Sequence, residues 1–145
     1  MHRIVRAAPL LLFFLVVGCS DSTGPASLNL NRLPWERQNL HDYMYLAERF
    51  CFCAPVGPVY VTVQADTVYS ARVAATGVGL PRTEWLTVEQ LFDVAERSFG
   101  EKDKRVRVEY DPALGYPKRI EVSCPAIADC GITFTAKNLG DPVIN

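Results

Sequence analysis

The stretch from Arg105 to Ala136 constrains the fold most, because apolar and polar residues alternate through three separate runs. A period of two places the apolar side chains on one face of a strand and the polar side chains on the other. Short turn-rich links separate the runs, so we expect neighbouring antiparallel strands. The apolar positions are Val106, Val108 and Tyr110 in the first run, Ile120 and Val122 in the second, and Ile132, Phe134 and Ala136 in the third.

The link between the first two runs has the composition of a tight turn. The Asp111 carboxylate can accept hydrogen bonds from the backbone amides that follow it, and Pro112 fixes φ for the second turn position. Gly115 can adopt a positive φ. Pro117 has no amide hydrogen and therefore belongs at a strand start or on a sheet edge. We treat these four residues, together with Tyr116, as a turn signature.

The segment from Thr87 to Phe99 has the strongest helical pattern in the chain. Thr87 predicts an N-cap, and Gln90 completes a capping box three residues later. Gly100 predicts a left-handed C-terminal end. The apolar residues recur at helical spacing and would cover one face of the sheet. They are Val88, Leu91, Phe92, Ala95 and Phe99.

The first half of the chain contains further strand patterns. Asp42 to Cys53 predicts a strand that is apolar on both parities, and therefore central and covered on both faces; a helix competes with this interpretation. Pro58 to Val63 and Thr67 to Ala74 predict a hairpin that turns at Ala65-Asp66. Before them, Pro34 to Asn39 predicts a short helix that begins with a proline.

These elements follow the order helix, three strands, helix, three strands. The order predicts an α+β fold, with an antiparallel sheet of about six strands and one or two helices on one face. Two α-β-β-β units in tandem would produce it, although the residues themselves show no repeat.

The N-terminal residues have the pattern of an export signal. A basic head precedes an apolar run from Ala7 to Val17, which is too short to span a bilayer comfortably. The run ends in Val-Val-Gly-Cys, which looks like a lipobox. We therefore expect a lipoprotein signal peptide at residues 1–18, lipidation of Cys19, a flexible tether at 19–30 and a single globular domain at 31–145. An ordinary secretory signal or a buried strand are the competing interpretations.

The charge of the chain argues against binding to nucleic acid. The net charge is −1, and it becomes more negative when Arg3 and Arg6 leave with the predicted signal. Nucleic-acid binding requires a concentrated basic surface. We therefore expect contact with the membrane through the lipid and with a protein partner.

Four further cysteines remain, and an even number in an exported domain favours disulfides. We predict a Cys124–Cys130 clip across a short loop, which leaves Cys51 and Cys53 to bond each other or to stay reduced. A crossed pairing remains open if that loop lies over the end of the first strand. The spacings do not match the usual zinc motifs, so we predict no metal site.

Cys51 and Cys53 carry the main chemical alternative. In a flat strand, the side chains of residues i and i+2 lie on one face about 6.5–7 Å apart. The Cβ atoms of two bonded cysteines are only about 3.5–4.5 Å apart. A bond between them therefore requires a bulge or a strand end. Exposed disulfides of this kind are the ones that exchange.

The sequence contains no catalytic signature. His41 is the one histidine outside the predicted signal, and no nucleophile elbow, zinc-protease motif, P-loop or dinucleotide fingerprint is present. We predict no catalytic residues and no cofactor.

Three motifs in combination resemble a known family. They are Cys-Phe-Cys at Cys51, Thr-Val-Glu-Gln-Leu-Phe at Thr87, and the turn octapeptide at Tyr110. Between Trp35 and Leu139 the chain resembles domain-of-unknown-function family 6174, a family of small bacterial lipoproteins. The resemblance implies an envelope domain with no assigned reaction. Ser20, directly after Cys19, fits the lipoprotein sorting pattern that implies the outer membrane where the host has one.

Together these features predict a lipid-anchored cell-envelope domain with a non-enzymatic protein-binding or assembly role. The alternative is a thiol-disulfide or metal-handling lipoprotein that uses Cys51 and Cys53.

Overall fold

A computed structural model describes residues 24–127 and 129–141. The predicted signal peptide and Cys19 lie outside these residues. The described chain contains two α-helices, six strands and a 3-10 turn at Arg82–Glu84. The helices are α1 (Pro25–Gln38) and α2 (Val88–Phe99). The strands are β1 (Tyr43–Cys51), β2 (Val59–Gln64), β3 (Thr67–Val73), β4 (Arg105–Tyr110), β5 (Pro117–Ser123) and β6 (Ile132–Gly140).

The six strands form one antiparallel sheet in the order β3-β2-β1-β6-β5-β4. The predicted α+β class is confirmed. Each half of the chain contributes a three-stranded meander, and β1 and β6 join the meanders at the centre. The first strand of one unit therefore meets the last strand of the other, so the two α-β-β-β units do not occupy equivalent places in the sheet.

The core lies between the helices and one face of the sheet. From the sheet, Tyr43, Val61 and Ile120 are buried, and from α2 Phe92 is fully buried. The opposite face carries no described helix and presents polar side chains along most of its strands, as is common in antiparallel sheets. No described helix has the length and apolar content needed to cross a membrane.

Helix α2 begins as the sequence predicts. The Thr87 hydroxyl accepts a hydrogen bond from the Gln90 amide, and the Gln90 side chain accepts one from the Thr87 amide. The prediction for its other end is wrong. Gly100 has φ −74° and ψ −14°, a right-handed conformation, and its amide bonds to carbonyls of the last helical turn.

Helix α1 is longer than the sequence predicts. It begins at Pro25 instead of Pro34, so residues 25–30 are helical and not part of a flexible tether. Leu28 and Trp35, seven residues apart on one face, are 2% and 3% exposed. Burial of these two side chains stabilises a helix whose other apolar residues face solvent, and it does so despite the interior proline at position 34.

Strand β1 is central, but it is not covered on both faces as predicted. Tyr43, Tyr45 and Ala47 are buried beneath the helices. The side chains that point to the opposite face of β1 are not covered: Met44 is half-buried and Phe50 is exposed. The sequence pattern was misleading because apolar residues on an uncovered face look the same in sequence as those in a core.

The β2–β3 hairpin has a two-residue turn in which Ala65 and Asp66 adopt φ of 47° and 60°. Paired positive φ values are those of a type I′ turn, which matches the twist of the strands. The Asp42 carboxylate accepts a hydrogen bond from the Ala65 amide at 2.9 Å. His41 Nδ1 lies 2.8 Å from the Asp66 carboxylate.

The β4–β5 turn is held by its own aspartate. The Asp111 carboxylate accepts hydrogen bonds from the amides of Ala113 and Leu114 at 3.0 and 2.9 Å. Gly115 has φ +80°, and a Cβ there would overlap the Asn31 carbonyl oxygen of α1. Helix α1 therefore packs closely against this turn.

Candidate interaction site at the disulfide end of the sheet

The four cysteines outside the predicted signal and its lipobox lie at one end of the sheet. This end, where β1 and β5 finish and β4 and β6 begin, is called the disulfide end below. Cys51 is bonded to Cys53, with Cα atoms 5.1 Å apart, and Cys124 to Cys130, with Cα atoms 5.6 Å apart. The crossed pairing is not adopted.

The two disulfides lie at the ends of β1 and β5, the strands on either side of β6. Cys51 is the last residue of β1 and lies opposite Ile132, the first residue of β6. Ile132 in turn lies opposite Val122 of β5, two residues before Cys124. The two bonds thus close neighbouring loops at the same end of three consecutive strands, β1, β6 and β5.

The Cys51–Cys53 bond coincides with the end of strand β1. The chain bends at Phe52 and Cys53, and the Cα separation of 5.1 Å is shorter than the roughly 6.5–7 Å of an extended strand. Cys53 is exposed, whereas Cys124 is 8% exposed. Cys51 and Cys130 are both half-buried, so Cys53 is the most exposed of the four cysteines and Cys124 the least exposed.

Large apolar side chains are exposed at this end. Phe52 is 82% exposed, Phe50 58% and Ile127 57%. Phe52 sits in the loop closed by Cys51–Cys53, and Ile127 sits in the loop closed by Cys124–Cys130. The sequence analysis placed Phe50 and Phe52 in a covered strand and did not single out Ile127. Its position inside a cysteine-closed loop was the available signal.

An open groove crosses the uncovered face beside these residues. It is lined by Phe50, Phe52, Glu121, Ser123, Asp129 and Thr133, among others. Its walls combine two phenyl rings with hydroxyl and carboxylate oxygens. This mixture suits a peptide segment that offers an apolar side chain and hydrogen-bond donors.

Charged pairs extend across the same face. The Lys137 ammonium donates to the Glu48 carboxylate at 2.8 Å, and Thr135 Oγ1 donates to the same oxygen at 3.2 Å. The hydrogen bond from Lys137 lowers the pKa of Glu48. Arg119 pairs with Glu121 on β5. The Glu48 and Glu121 carboxylates are therefore each paired with a cation on the same face, and Glu121 also lines the groove.

The other residues singled out from sequence lie far from the cysteines. His41 is at the β2–β3 turn, and the turn signature from Asp111 to Pro117 joins β4 and β5 at the opposite end of the sheet, the turn end. Strand β5 separates the two ends by about 20 Å at the usual rise. No group of three or more histidine, cysteine or acidic residues in the described ranges could hold a metal ion.

The turn end contains a buried polar network that looks structural. Tyr43 Oη accepts a hydrogen bond from the Val88 amide at 2.8 Å and donates to Glu89 at 3.1 Å. Trp35 Nε1 donates to the other oxygen of Glu89. Burial raises the pKa of Tyr43 and of Tyr45. Both tyrosines therefore stay protonated, and Tyr43, through Glu89 and Trp35, links β1 to α2 and α1.

A family model matches residues 27–141, which include all six strands, α2 and most of α1. The chain belongs to domain-of-unknown-function family 6174. The match to family 6174 begins at Ser27, so it takes in helical residues that the sequence analysis assigned to a tether. The description of family 6174 assigns no function. No curated protein and no solved structure matches the chain.

Proposed function

We propose that this chain is a lipid-anchored cell-envelope protein that binds another protein through the disulfide end of its sheet. The observation that carries the proposal is the exposure of Phe52 and Ile127 on loops closed by disulfides, with Phe50 exposed beside them at the end of β1. Exposed aromatic side chains on a constrained backbone supply contact area at low conformational cost, and such residues dominate binding energy at protein interfaces.

The predicted anchor supports an orientation in which this end faces away from the membrane. Cys19 precedes Gly24 by five residues, which can span at most about 18 Å. Helix α1 follows directly and packs on the turn end through Asn31 and Trp35. The disulfide end is about 20 Å farther along the strands. A protein partner can therefore reach Phe52 without competing with the bilayer.

Site-specific photo-crosslinking in intact cells tests the proposal. A photoreactive phenylalanine analogue at position 52 should give one discrete adduct with a partner protein. The same analogue at position 69 is the matched control, because Tyr69 is 59% exposed but lies on edge strand β3. The adduct should weaken at least about tenfold when Ile127→Ser is added, because hot-spot contacts are cooperative. Equal adducts at positions 52 and 69, or none at position 52, would contradict the proposal.

Thiol–disulfide exchange at Cys51–Cys53 is the second candidate function. The specific observation in its favour is the exposure of Cys53, whose bonded partner Cys51 lines the groove that could receive a peptide. An accessible disulfide sulfur can be attacked by a thiolate of another protein. Incubation with a reduced, unfolded protein tests it: a mixed disulfide to Cys53 is the expected intermediate, and Cys53→Ser should remove it.

A further inference from the structure

Continued by two residues beyond the strand ends, the sheet register would align Cys53, Cys130 and Cys124 in one row across three strands. Within the strands, Cys51 of β1 lies opposite Ile132 of β6, and Val122 of β5 lies opposite the same residue from the other side. Two residues beyond Val122, the β5–β6 register places Cys124 opposite Cys130. The structure agrees, since their Cα atoms are 5.6 Å apart. Two residues beyond Cys51, the β1–β6 register would place Cys53 opposite Cys130 from the other side.

Strand β1 stops short of completing this row. The Cys51–Cys53 bond holds its Cα atoms 5.1 Å apart, whereas a strand that continued through residue 53 needs about 6.5–7 Å. The bond and the extended strand therefore exclude each other. When the bond is open, two more residues of β1 can pair with β6, and directly opposed residues in an antiparallel pair have Cα atoms about 4.5–5.5 Å apart. That separation is within the range of a disulfide.

We propose that the two disulfides form a relay, which passes an electron pair from a protein dithiol to the Cys124–Cys130 bond. The proposal rests on the second candidate function, exchange at Cys51–Cys53, and adds a destination for the electrons. Cys53 is the exposed entry point, Cys130 is the acceptor that the extended register sets opposite it, and Cys124 is the leaving thiolate at the buried end of the row.

The steps balance without any further reactant. A substrate dithiol reduces Cys51–Cys53 through a mixed disulfide with Cys53, and leaves as a disulfide. The Cys53 thiolate then attacks Cys130 Sγ, which forms a Cys53–Cys130 bond and releases the Cys124 thiolate. Cys51 attacks Cys53 Sγ, which re-forms Cys51–Cys53 and releases Cys130. Two electrons and two protons have moved from the substrate to Cys124 and Cys130.

The register argument can be tested with trapped variants of the full chain. The double variant Cys51→Ser/Cys124→Ser leaves Cys53 and Cys130, which should form an intramolecular bond. Trypsin cuts after Arg49, Arg72, Arg119 and Lys137, so this bond joins peptide 50–72 to peptide 120–137. The matched control Cys51→Ser/Cys130→Ser leaves Cys53 and Cys124, which lie two strands apart at about 9–10 Å. It should stay reduced. Equal linkage in both variants, or free thiols in both, would overturn the register argument.

Wild-type protein tests the transfer itself and does not depend on the folding of a variant. Oxidised protein receives one equivalent of dithiothreitol, is alkylated over time, and is digested. Thiols should appear first in peptide 50–72 and then in peptide 120–137. In Cys51→Ser/Cys53→Ser, reduction of Cys124–Cys130 should be at least about tenfold slower, because the relay is lost and an external thiol must attack the half-buried Cys130 or the buried Cys124 directly. Reduction at an equal rate would overturn the relay.

The failures can be told apart. If the dithiol opens neither bond in wild type, exchange at Cys51–Cys53 itself is wrong. If thiols appear and remain in peptide 50–72, that exchange stands and the relay alone is wrong.

Discussion

The indole nitrogen of Trp35 in α1 donates a hydrogen bond of 2.9 Å to the Glu89 carboxylate in α2. The second oxygen of Glu89 accepts from Tyr43 Oη at 3.1 Å. One half-buried carboxylate thus joins both helices to the central strand. The aromatic rings contribute as well, since Trp35 meets Tyr43 edge to face at 5.4 Å.

Glu89→Ala should lower the free energy of unfolding by about 1–3 kcal/mol, because it leaves the buried Trp35 and Tyr43 donors without an acceptor. Glu89→Gln should cost less, since its amide oxygen still accepts one bond. Urea denaturation measures both. Glu96→Ala is the control on the same helix, because Glu96 is 61% exposed and its ion pair with Arg32 is long. A loss at Glu89 no larger than that at Glu96 would show that the network does not stabilise the fold.

Phe92→Ala should cost about 3–5 kcal/mol. Phe92 is fully buried, stacks on Tyr110 and lies under the Arg32 guanidinium. Phe52→Ala is the matched control: the same atoms are removed from a side chain that is 82% exposed, so the cost should be under about 0.5 kcal/mol. If the two variants unfold at the same urea concentration, α2 does not pack on the sheet as described.

Gly115→Ala should be far more damaging than Gly57→Ala. Both glycines have positive φ, +80° and +77°, so each substitution pays a conformational cost of about 1–2 kcal/mol. Only at Gly115 would the new Cβ meet Asn31 and Pro34 of α1, which adds about 1–3 kcal/mol of overpacking. Thermal unfolding of both variants checks this. Equal losses would mean that α1 does not press against the β4–β5 turn.

Alkaline pH should destabilise the protein through its buried tyrosines. Burial raises the pKa of Tyr43 and Tyr45 in the folded state, so the folded state holds protons that the unfolded state loses above its ordinary tyrosine pKa. Their contribution to stability is complete below about pH 10 and falls as the pH rises, by up to about 1.4 kcal/mol per pH unit for each tyrosine.

Comparison of phenylalanine variants isolates this effect from other groups that titrate at high pH. Tyr45→Phe should flatten the decline of unfolding free energy between about pH 9 and pH 11. Tyr69→Phe, at a position 59% exposed, should leave the decline unchanged. Parallel declines in wild type and Tyr45→Phe would contradict the burial argument.

Cys19→Ser tests the anchor. The variant should accumulate in the soluble envelope fraction or remain as unprocessed precursor, because no diacylglycerol can be attached to serine. Fractionation of cells followed by mass measurement of the N-terminal peptide distinguishes these results. A variant that matures and sediments with membranes as wild type does would refute lipidation at Cys19.

Local sequence determined the elements whose stability depends on neighbours a few positions away. The capping box of α2 is formed by Thr87 and Gln90, which are three positions apart in the chain. The apolar face of β4 and of β5 is formed by residues two positions apart. The β4–β5 turn needs only Asp111 and the residues directly after it. In each case the hydrogen bonds or the buried face are specified within one turn or one strand, so the pattern could be interpreted without knowledge of the remainder of the chain.

The tertiary structure decided what depends on distant residues. The burial of Leu28 and Trp35 extends α1 back to Pro25, and no local pattern in that weakly amphipathic segment indicates it. The pairing of β1 with β6 joins the two halves of the chain and sets Cys51 opposite Ile132, at the same end of the sheet as the Cys124–Cys130 loop. The same pairing leaves Phe50 on an uncovered face. Strand order and the side on which helices pack follow from burial summed over the whole core, so neither could be derived from any one stretch of residues.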